Sequence, residues 1–290
     1  MKKYIIISLT FLFFGCYQDS IQPDLLENYK SKMVVNAIFT NGQPAKLQLT
    51  NSSAVMDSSG LKGIPNATVM IETVDETKTM SPSSGDFNYS SDFIPTSGKP
   101  IKLSVRHPDY VNVSSTVIVP VNVNAISTLT ENGGLDTSGL PGDLIQVSFN
   151  DPGNKSNFYK LNIFYWNQTI GDWIPMAFTK SDPSLTGYNS YVLSDAGVIF
   201  SDELFNGSNK IIQTVAPNGL VSSNPDNKYK VEFSHITSDF FEYYRSIQRA
   251  DDAKEISFNG GFNNAVVIHS NIDNGLGILA VQNTSETILK

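Results

Sequence analysis

The side chains best suited to metal or acid–base chemistry are three histidines: His107, His235 and His269. No two of them lie at the short spacing that zinc sites use, so the sequence predicts no zinc site. Motifs for a serine nucleophile, a zinc protease or a phosphate-binding loop are also missing from the sequence. We therefore expect no catalytic residue and no resident metal, and we predict that the protein is not an enzyme.

Neighbouring carboxylates are the second source of possible chemistry, at Asp202–Glu203 and at Asp251–Asp252. Such pairs in loops are usually solvated, so we interpret them as surface acids and keep an unrecognised hydrolase as an alternative. Residues 150–154, Asn-Asp-Pro-Gly-Asn, could offer oxygens to Ca²⁺ but lack the EF-hand frame. We interpret them as a turn where Ca²⁺ binding would be incidental, and we expect no cofactor.

The only cysteine, Cys16, follows Gly15 directly after the apolar run of residues 4–14. A run of about eleven residues has the length of a signal-peptide core and is too short to span a bilayer. The Gly-Cys step resembles the lipobox of bacterial lipoproteins. That resemblance implies a lipidated Cys16, with palmitate-type acyl chains. We predict a lipoprotein signal peptide over residues 1–15 and a polar tether over residues 16–30.

Composition indicates an acidic protein of short strands and many turns. The chain has 290 residues, with 20 basic and 28 acidic side chains and a formal net charge of −8. A nucleic-acid partner would need clustered basic residues, so we expect none. The charged fraction is 17%, below the roughly 25% of an average soluble protein, and aromatic residues make up 11%. This mixture favours a mainly β fold over a helical bundle.

Alternating apolar and polar residues predict an N-terminal β-sandwich domain over residues 31–120. Strands are expected at residues 33–39, 45–50, 67–72, 101–106 and 111–119, with a short one near residue 89. The segment 63–71, Gly-x-Pro-x-Ala-x-Val-x-Ile, resembles immunoglobulin- and transthyretin-like sandwiches. That resemblance carries no catalytic residues.

Residues 121–290 are predicted to form a second, β-rich domain with one short amphipathic helix. Residues 121–142 contain several glycines and are expected to be a loop. Further strands are expected at residues 144–149, 157–166, 173–178, 188–193, 210–215, 229–235, 265–269 and 277–281. The helix should begin with Asp239 as its N-cap and bury Phe240, Tyr243, Tyr244 and Ile247. Asp251 and Asp252 would oppose its dipole, so we expect them just beyond its end.

The strand expected at residues 157–166 is unusually aromatic, and its aromatic side chains have two interpretations. Its side chains either fill the core or form an exposed row on which sugars or a peptide could stack. The candidate binding surface combines the outward aromatic residues with a loop near the C-terminus: Phe158, Phe164, Trp166, Trp173, Asn271 and Asn274.

Several motifs occur in an order that resembles one family. In chain order they are Cys16, residues 33–36 (Met-Val-Val-Asn), residues 63–69 (Gly-x-Pro-x-Ala-x-Val), residues 149–152 (Phe-Asn-Asp-Pro), residues 157–159 (Asn-Phe-Tyr), the aromatic helix and residues 270–277 (Ser-Asn-Ile-x-Asn-Gly-Leu-Gly). Together they resemble the Bacteroidota lipoproteins grouped as domain of unknown function 4249. The resemblance implies an outer-membrane lipoprotein, at the cell surface or the periplasmic face, acting as an accessory binding subunit of a TonB-dependent receptor. A structural surface protein without a ligand is the remaining alternative.

Overall fold

A computed structural model describes residues 29–54, 60–83, 87–153, 155–186, 190–217, 228–258 and 266–290. The predicted signal peptide, Cys16 and all of the tether except Tyr29 and Lys30 lie outside the described residues. Within them the chain is mainly β, with strands β1 to β17, one α-helix and one 3₁₀ turn. The prediction of a mainly β fold is confirmed.

The first seven strands alternate buried and exposed side chains, as the sequence predicts. In β1 every second residue from Met33 to Phe39 is buried. Their bounds are β1 (Met33–Thr40), β2 (Lys46–Asn51), β3 (Thr68–Glu72), β4 (Thr77–Pro82), β5 (Asn88–Ser90), β6 (Pro100–Arg106) and β7 (Val113–Ile118). Strand β4 was not predicted, because Met80 is its only buried residue and alternation is therefore hard to see.

These seven strands form one continuous ribbon that folds onto itself. The order is β1-β2-β5-β4-β3-β6-β7, antiparallel throughout. Strand β4 changes partner along its length, since Thr77 to Met80 pair with β3 whereas Ser81 and Pro82 pair with β5. Side chains from both halves of the ribbon therefore share one core, which includes Val35, Leu49, Ile71 and Leu103. An immunoglobulin- or transthyretin-like topology stays a prediction.

The next strands begin where a loop was expected. Strand β8 (Ile126–Leu135) pairs with β9 (Pro141–Asn150) across most of residues 121–142, so the loop prediction was wrong. The glycines that suggested a loop are needed for packing. A Cβ on Gly134 or Gly142 would approach the side chain of Val215 to 2.5 or 2.6 Å.

The remaining strands complete two facing sheets. They are β10 (Phe158–Asn167), β11 (Asp172–Pro175), β12 (Thr179–Lys180), β13 (Ser190–Val192), β14 (Val198–Ser201), β15 (Asn209–Pro217), β16 (Tyr229–Ile236) and β17 (Leu276–Leu289), with a 3₁₀ turn at Pro183–Leu185. One sheet has the order β12-β15-β9-β8, and the other contains β13-β14-β10-β16-β17, with β11 on the edge of β10. Their facing side chains form a second core rich in aromatic rings, among them Phe149, Tyr159 and Phe233.

Strand β17 belongs to both cores. Residues 276–282 pair in parallel with β1, and residues 282–289 pair antiparallel with β16. Leu279 and Val281 face the first core, whereas Leu289 faces the second. A domain boundary near residue 120 stays a prediction, and the last strand packs into the parts of the chain on both sides of that residue.

The α-helix α1 (Ser238–Phe258) is 21 residues long, so it is not short. It starts before Asp239, because the Phe241 N–H donates to the Thr237 carbonyl at 3.3 Å. The prediction of Asp239 as N-cap was therefore wrong. Asp251 and Asp252 lie inside the helix, not beyond it. Both are exposed to water, which screens the dipole, and Gln248 donates to the Asp252 carboxylate at 3.0 Å.

Helix α1 covers the outer face of the sheet where the two parts meet. Phe240 and Phe241 are buried against Ile236, Ile278 and Ala280. After α1, residues 266–269 form no strand, in contrast to the prediction, since the His269 N–H donates to the Ser246 hydroxyl of the helix at 2.8 Å. No helix in the described ranges is long and apolar enough to cross a bilayer.

Gly277 provides a test of the pairing between β1 and β17. It has φ of +98°, and a Cβ there would lie 2.1 Å from the Val35 carbonyl oxygen. We expect Gly277→Ala to lower the free energy of unfolding by about 3 kcal/mol or more, because backbone strain and a clash add. Urea unfolding of the purified protein measures this loss.

Gly171→Ala is the matched control, since Gly171 has φ of +73° with open space around it. It should lose only about 1 kcal/mol. Equal losses for the two variants would contradict the role assigned to the close contact with Val35.

Candidate functional site

The three histidines lie in separate places. The His107 Nδ1 accepts from the Asp109 N–H at 3.2 Å, and its ring lies against Tyr110. The His235 Nδ1 is 2.9 Å from the Val121 carbonyl, and burial lowers the pKa of this imidazole. The His269 Nε2 lies 2.8 Å from an Asp239 carboxylate oxygen. Among the described residues, no three histidines or carboxylates are grouped as metal ligands.

Asp202 and Asp151 are buried acids that hold two loops together. The Asp202 carboxylate accepts from the backbone and side-chain nitrogens of Asn157 at 2.8 and 3.1 Å. Asp151 accepts from the Tyr159 hydroxyl and, at 2.7 Å, from the Gly207 N–H. Burial raises the pKa of Asp202, and the nearby Asp151 charge adds to that effect. Asp202 is thus buried rather than a solvated surface acid, and the oxygens of Asp151 are used inside the protein.

A third buried acid, Asp143, was missed by the sequence reasoning. It is 1% exposed and accepts from the Tyr229 hydroxyl and the Lys228 ammonium, both at 2.8 Å. The Asn132 N–H donates to its other oxygen at 2.9 Å. Burial opposes ionisation, but the hydrogen bonds from Lys228, Asn132 and Tyr229 outweigh it and hold the pKa of Asp143 below its usual value. Asp143 lies between the loop expected at residues 121–142 and the strand expected at residues 144–149, so no predicted element indicated its burial.

The aromatic strand is divided between core and surface. Tyr159, Leu161 and Ile163 point into the second core, so half of the strand packs as the core interpretation predicts. On the opposite face Phe158 is covered by helix α1, with its ring 4.7 Å from that of Phe241. Phe158 is therefore not part of an exposed row.

Three of the predicted aromatic residues do come together, with a lysine. Trp166 and Trp173 are cross-strand partners of β10 and β11, and their ring centroids lie 5.4 Å apart in an edge-to-face arrangement. The Lys230 ammonium is 4.3 Å from the ring centroid of Phe164 and 5.9 Å from that of Trp173. We call Phe164, Trp166, Trp173 and Lys230 the aromatic patch. All four side chains are half-buried.

Exposed apolar residues extend the aromatic patch. Ile288 is the cross-strand neighbour of Lys230 and is 46% exposed, and Ile170 in the turn between β10 and β11 is 65% exposed. Aromatic rings with a cation and apolar surroundings are the side chains that protein interfaces favour. The arrangement can stack a planar or apolar group, and the Lys230 ammonium beside the rings is paired with the Glu232 carboxylate at 2.8 Å.

The two predicted asparagines lie elsewhere. The Asn271 side chain pairs with the backbone of Leu279 at 2.8 and 2.9 Å, and Asn274 occupies a turn with φ of +60°. This loop precedes Leu276, whereas the aromatic patch lies beside Ile288 at the other end of β17. Twelve residues of strand separate them, roughly 40 Å at about 3.3 Å per residue. The loop with Asn271 and Asn274 and the aromatic patch therefore do not form one surface.

A cleft of about 490 Å³ lies at the junction of the two parts of the chain. One wall is formed by residues 116–121 at the end of β7 and beyond it. The opposite wall is formed by residues 155–158 before β10 and by residues 235–239 at the start of helix α1. Ligand sites favour such junctions. Lys155 and His235 both line the cleft, and the Lys155 charge acts on the His235 ring.

The buried Asp143 gives a prediction about pH. Because hydrogen bonds hold the folded pKa of Asp143 below its usual value, its ionised form stabilises the fold above about pH 4, and this stabilisation is lost as the pH falls through the folded pKa. We expect Asp143→Asn to cost about 2 kcal/mol at pH 7 and clearly less at pH 3. Urea unfolding at the two pH values tests this. Glu131→Gln is the control, because Glu131 is the exposed partner of Lys228 and its loss should change the free energy of unfolding little. An Asp143→Asn cost that does not depend on pH would contradict the stabilising role assigned to the ionised Asp143.

A family model described as "Domain of unknown function (DUF4249)" matches residues 18–288. No curated protein matches the chain in sequence. Since the family model matches far more than half of the chain, the chain belongs to the DUF4249 family.

Proposed function

We propose that the protein is a binding subunit that holds another macromolecule at the outer membrane through the aromatic patch. The observation that supports this is the half-exposed cluster of Phe164, Trp166, Trp173 and Lys230, next to the exposed Ile170 and Ile288. Trp and other aromatic residues contribute most of the binding energy at protein interfaces. The buried acids Asp143, Asp151 and Asp202 accept hydrogen bonds within the fold. Because these carboxylates serve the structure, we favour binding over catalysis as the role of the protein.

The proposed location rests on the sequence. Gly15-Cys16 directly follows an apolar core of signal-peptide length, and a lipid on Cys16 would anchor the body to a membrane. As a flexible coil, the fourteen residues from 17 to 30 would reach roughly 20 Å. The body would then stay close to the bilayer surface, where the loops of an outer-membrane receptor lie.

The proposed partner is a TonB-dependent receptor, as the family resemblance implies. Anchoring both proteins in one membrane would raise their effective concentration, so a modest interface would be enough for a stable complex. The aromatic patch has the chemistry of such an interface, with rings for apolar contact and the Lys230–Glu232 pair for polar contacts.

Cys16→Ala tests the anchor. We expect the variant to leave the membrane fraction and appear as a soluble protein, because the acyl chains supply the attachment. Cell fractionation with detergent-free washing, followed by immunoblotting, measures the distribution. Ser20→Ala in the same region is the control and should stay with the membrane. A Cys16→Ala protein that still sediments with the outer membrane would contradict lipid anchoring as the main attachment.

The double substitution Trp166→Ala and Trp173→Ala tests the patch. We expect recovery of a co-purified receptor, from membranes solubilised in mild detergent, to fall by about tenfold or more. Ile211→Ala is the control, since Ile211 is 51% exposed on the other sheet; it should leave recovery unchanged. Thermal unfolding verifies that all variants fold. If cross-linking recovers no receptor even with the unaltered protein, the receptor partnership is wrong.

A further inference from the structure

Strand β7 ends its sheet with an unusually regular free edge. In the described ranges, the other strands that end a sheet are short or irregular. Strands β12 and β13 have two and three residues, β11 has four and ends in Pro175, and β8 shifts its register between Thr130 and Gly134. Strand β7 has six residues in unbroken register with β6. A regular open edge is a template for another strand.

The register identifies which backbone groups of β7 are free. The Val119 N–H donates to the Lys99 carbonyl, so the odd-numbered residues point toward β6. The Ser114 carbonyl accepts from the Asp273 N–H at 2.8 Å on the opposite side. Because successive residues of a strand alternate, the N–H and C=O groups of Thr116 and Ile118 also point away from β6. Within the described part of the chain these four groups have no backbone partner.

This edge opens into the cleft between the two parts of the chain. Consecutive residues from Thr116 to Val121 line the cleft, including both exposed and buried side chains. Side chains of adjacent residues point to opposite faces, so a wall made of consecutive residues is the edge of a strand and not one of its faces. The cleft volume of about 490 Å³ is within the range of ligand pockets.

The opposite wall of the cleft carries an available positive charge. Lys155 is exposed, lines the cleft, and forms no ion pair with any described residue. The carboxylate of Asp239, which also lines the cleft, is already paired with His269 at 2.8 Å. A ligand with a carboxylate would therefore find an unpaired cation in the cleft.

We propose that an extended, acidic peptide segment of a partner protein docks in this cleft as an added strand on β7. Its backbone pairs with Thr116 and Ile118 and continues the ladder that Asp273 begins at Ser114. A carboxylate of the peptide contacts Lys155. This is strand addition, in which main-chain hydrogen bonds give affinity and side-chain contacts give specificity. The site depends on the free edge of β7 and on Lys155, and it does not require the lipid anchor or the aromatic patch.

Thr116→Pro tests the main-chain pairing. Proline removes the free N–H of Thr116 without removing a bond to β6, and edge strands tolerate proline at such positions. The probe is a fluorescein-labelled hexapeptide of alternating threonine and valine that ends in a glutamate, titrated with the full chain carrying Cys16→Ala. Fluorescence anisotropy should show at least about tenfold weaker binding to Thr116→Pro. Thr116→Val, which keeps the backbone N–H, is the control and should bind as the parent does.

Two further measurements test the same contacts without relying on correct folding of the Thr116→Pro variant. A probe with alternate amides N-methylated loses the same bonds from the ligand side and should bind the parent protein at least about tenfold more weakly. Lys155→Ala should weaken binding of the glutamate-ended probe but not of a probe that ends in an amidated glutamine.

Three outcomes would overturn the proposal. They are equal binding by Thr116→Pro and Thr116→Val, equal binding of the methylated and unmethylated probes, and no binding of the probe to the parent protein at about 1 mM. A concentration-dependent dimer that Thr116→Pro abolishes would show that a second copy occupies this edge instead. None of these outcomes depends on membrane attachment, so they leave the proposed function to be judged by its own experiments.

Discussion

The pairing of strand β17 with two different neighbours is the constraint on which the architecture depends. Its first half lies parallel to β1 and its second half antiparallel to β16, so the last strand of the chain enters both cores. The first core cannot be completed until the C-terminal residues are in place. The close approach of Gly277 to the Val35 carbonyl, where no Cβ fits, shows how tightly this contact is made.

Helix α1 acts at the same junction from outside. Phe240 and Phe241 cover Ile236 on β16 and Ile278 on β17, and Ile38 on β1 packs against this cluster. The helix therefore holds the β1–β17–β16 region on its outer face, while the two cores hold it from inside. The cleft lies beside this junction, between the free edge of β7 and the start of the helix. Its walls belong to elements that the junction fixes in place, which suits a binding site.

Polar groups that resemble catalytic residues serve packing in the second part of the chain. Asp143 joins the β8–β9 hairpin to β16 through Tyr229, and Asp151 and Asp202 join the turn before β10 to the loop between β14 and β15. A buried carboxylate is costly unless its oxygens accept several hydrogen bonds, and each of these three does. The surfaces proposed for recognition are instead the free edge of β7 and the aromatic patch.

The sequence by itself determined the mainly β fold, most strands from β1 to β10, the position of the helix and the inward face of the aromatic strand. These depend on local alternation and spacing, which are visible in one chain. Tertiary structure alone decided that Gly134 and Gly142 make room for Val215. It also decided that β17 extends to Leu289 and enters both cores. Phe158 lies under the helix whereas Trp166 does not, and this too was decided only by tertiary packing. It also decided that Asn271 and the aromatic patch lie far apart, and that Thr116 opens on a cleft. Each of these features depends on which distant segments pack together, and the local sequence around a residue does not determine that.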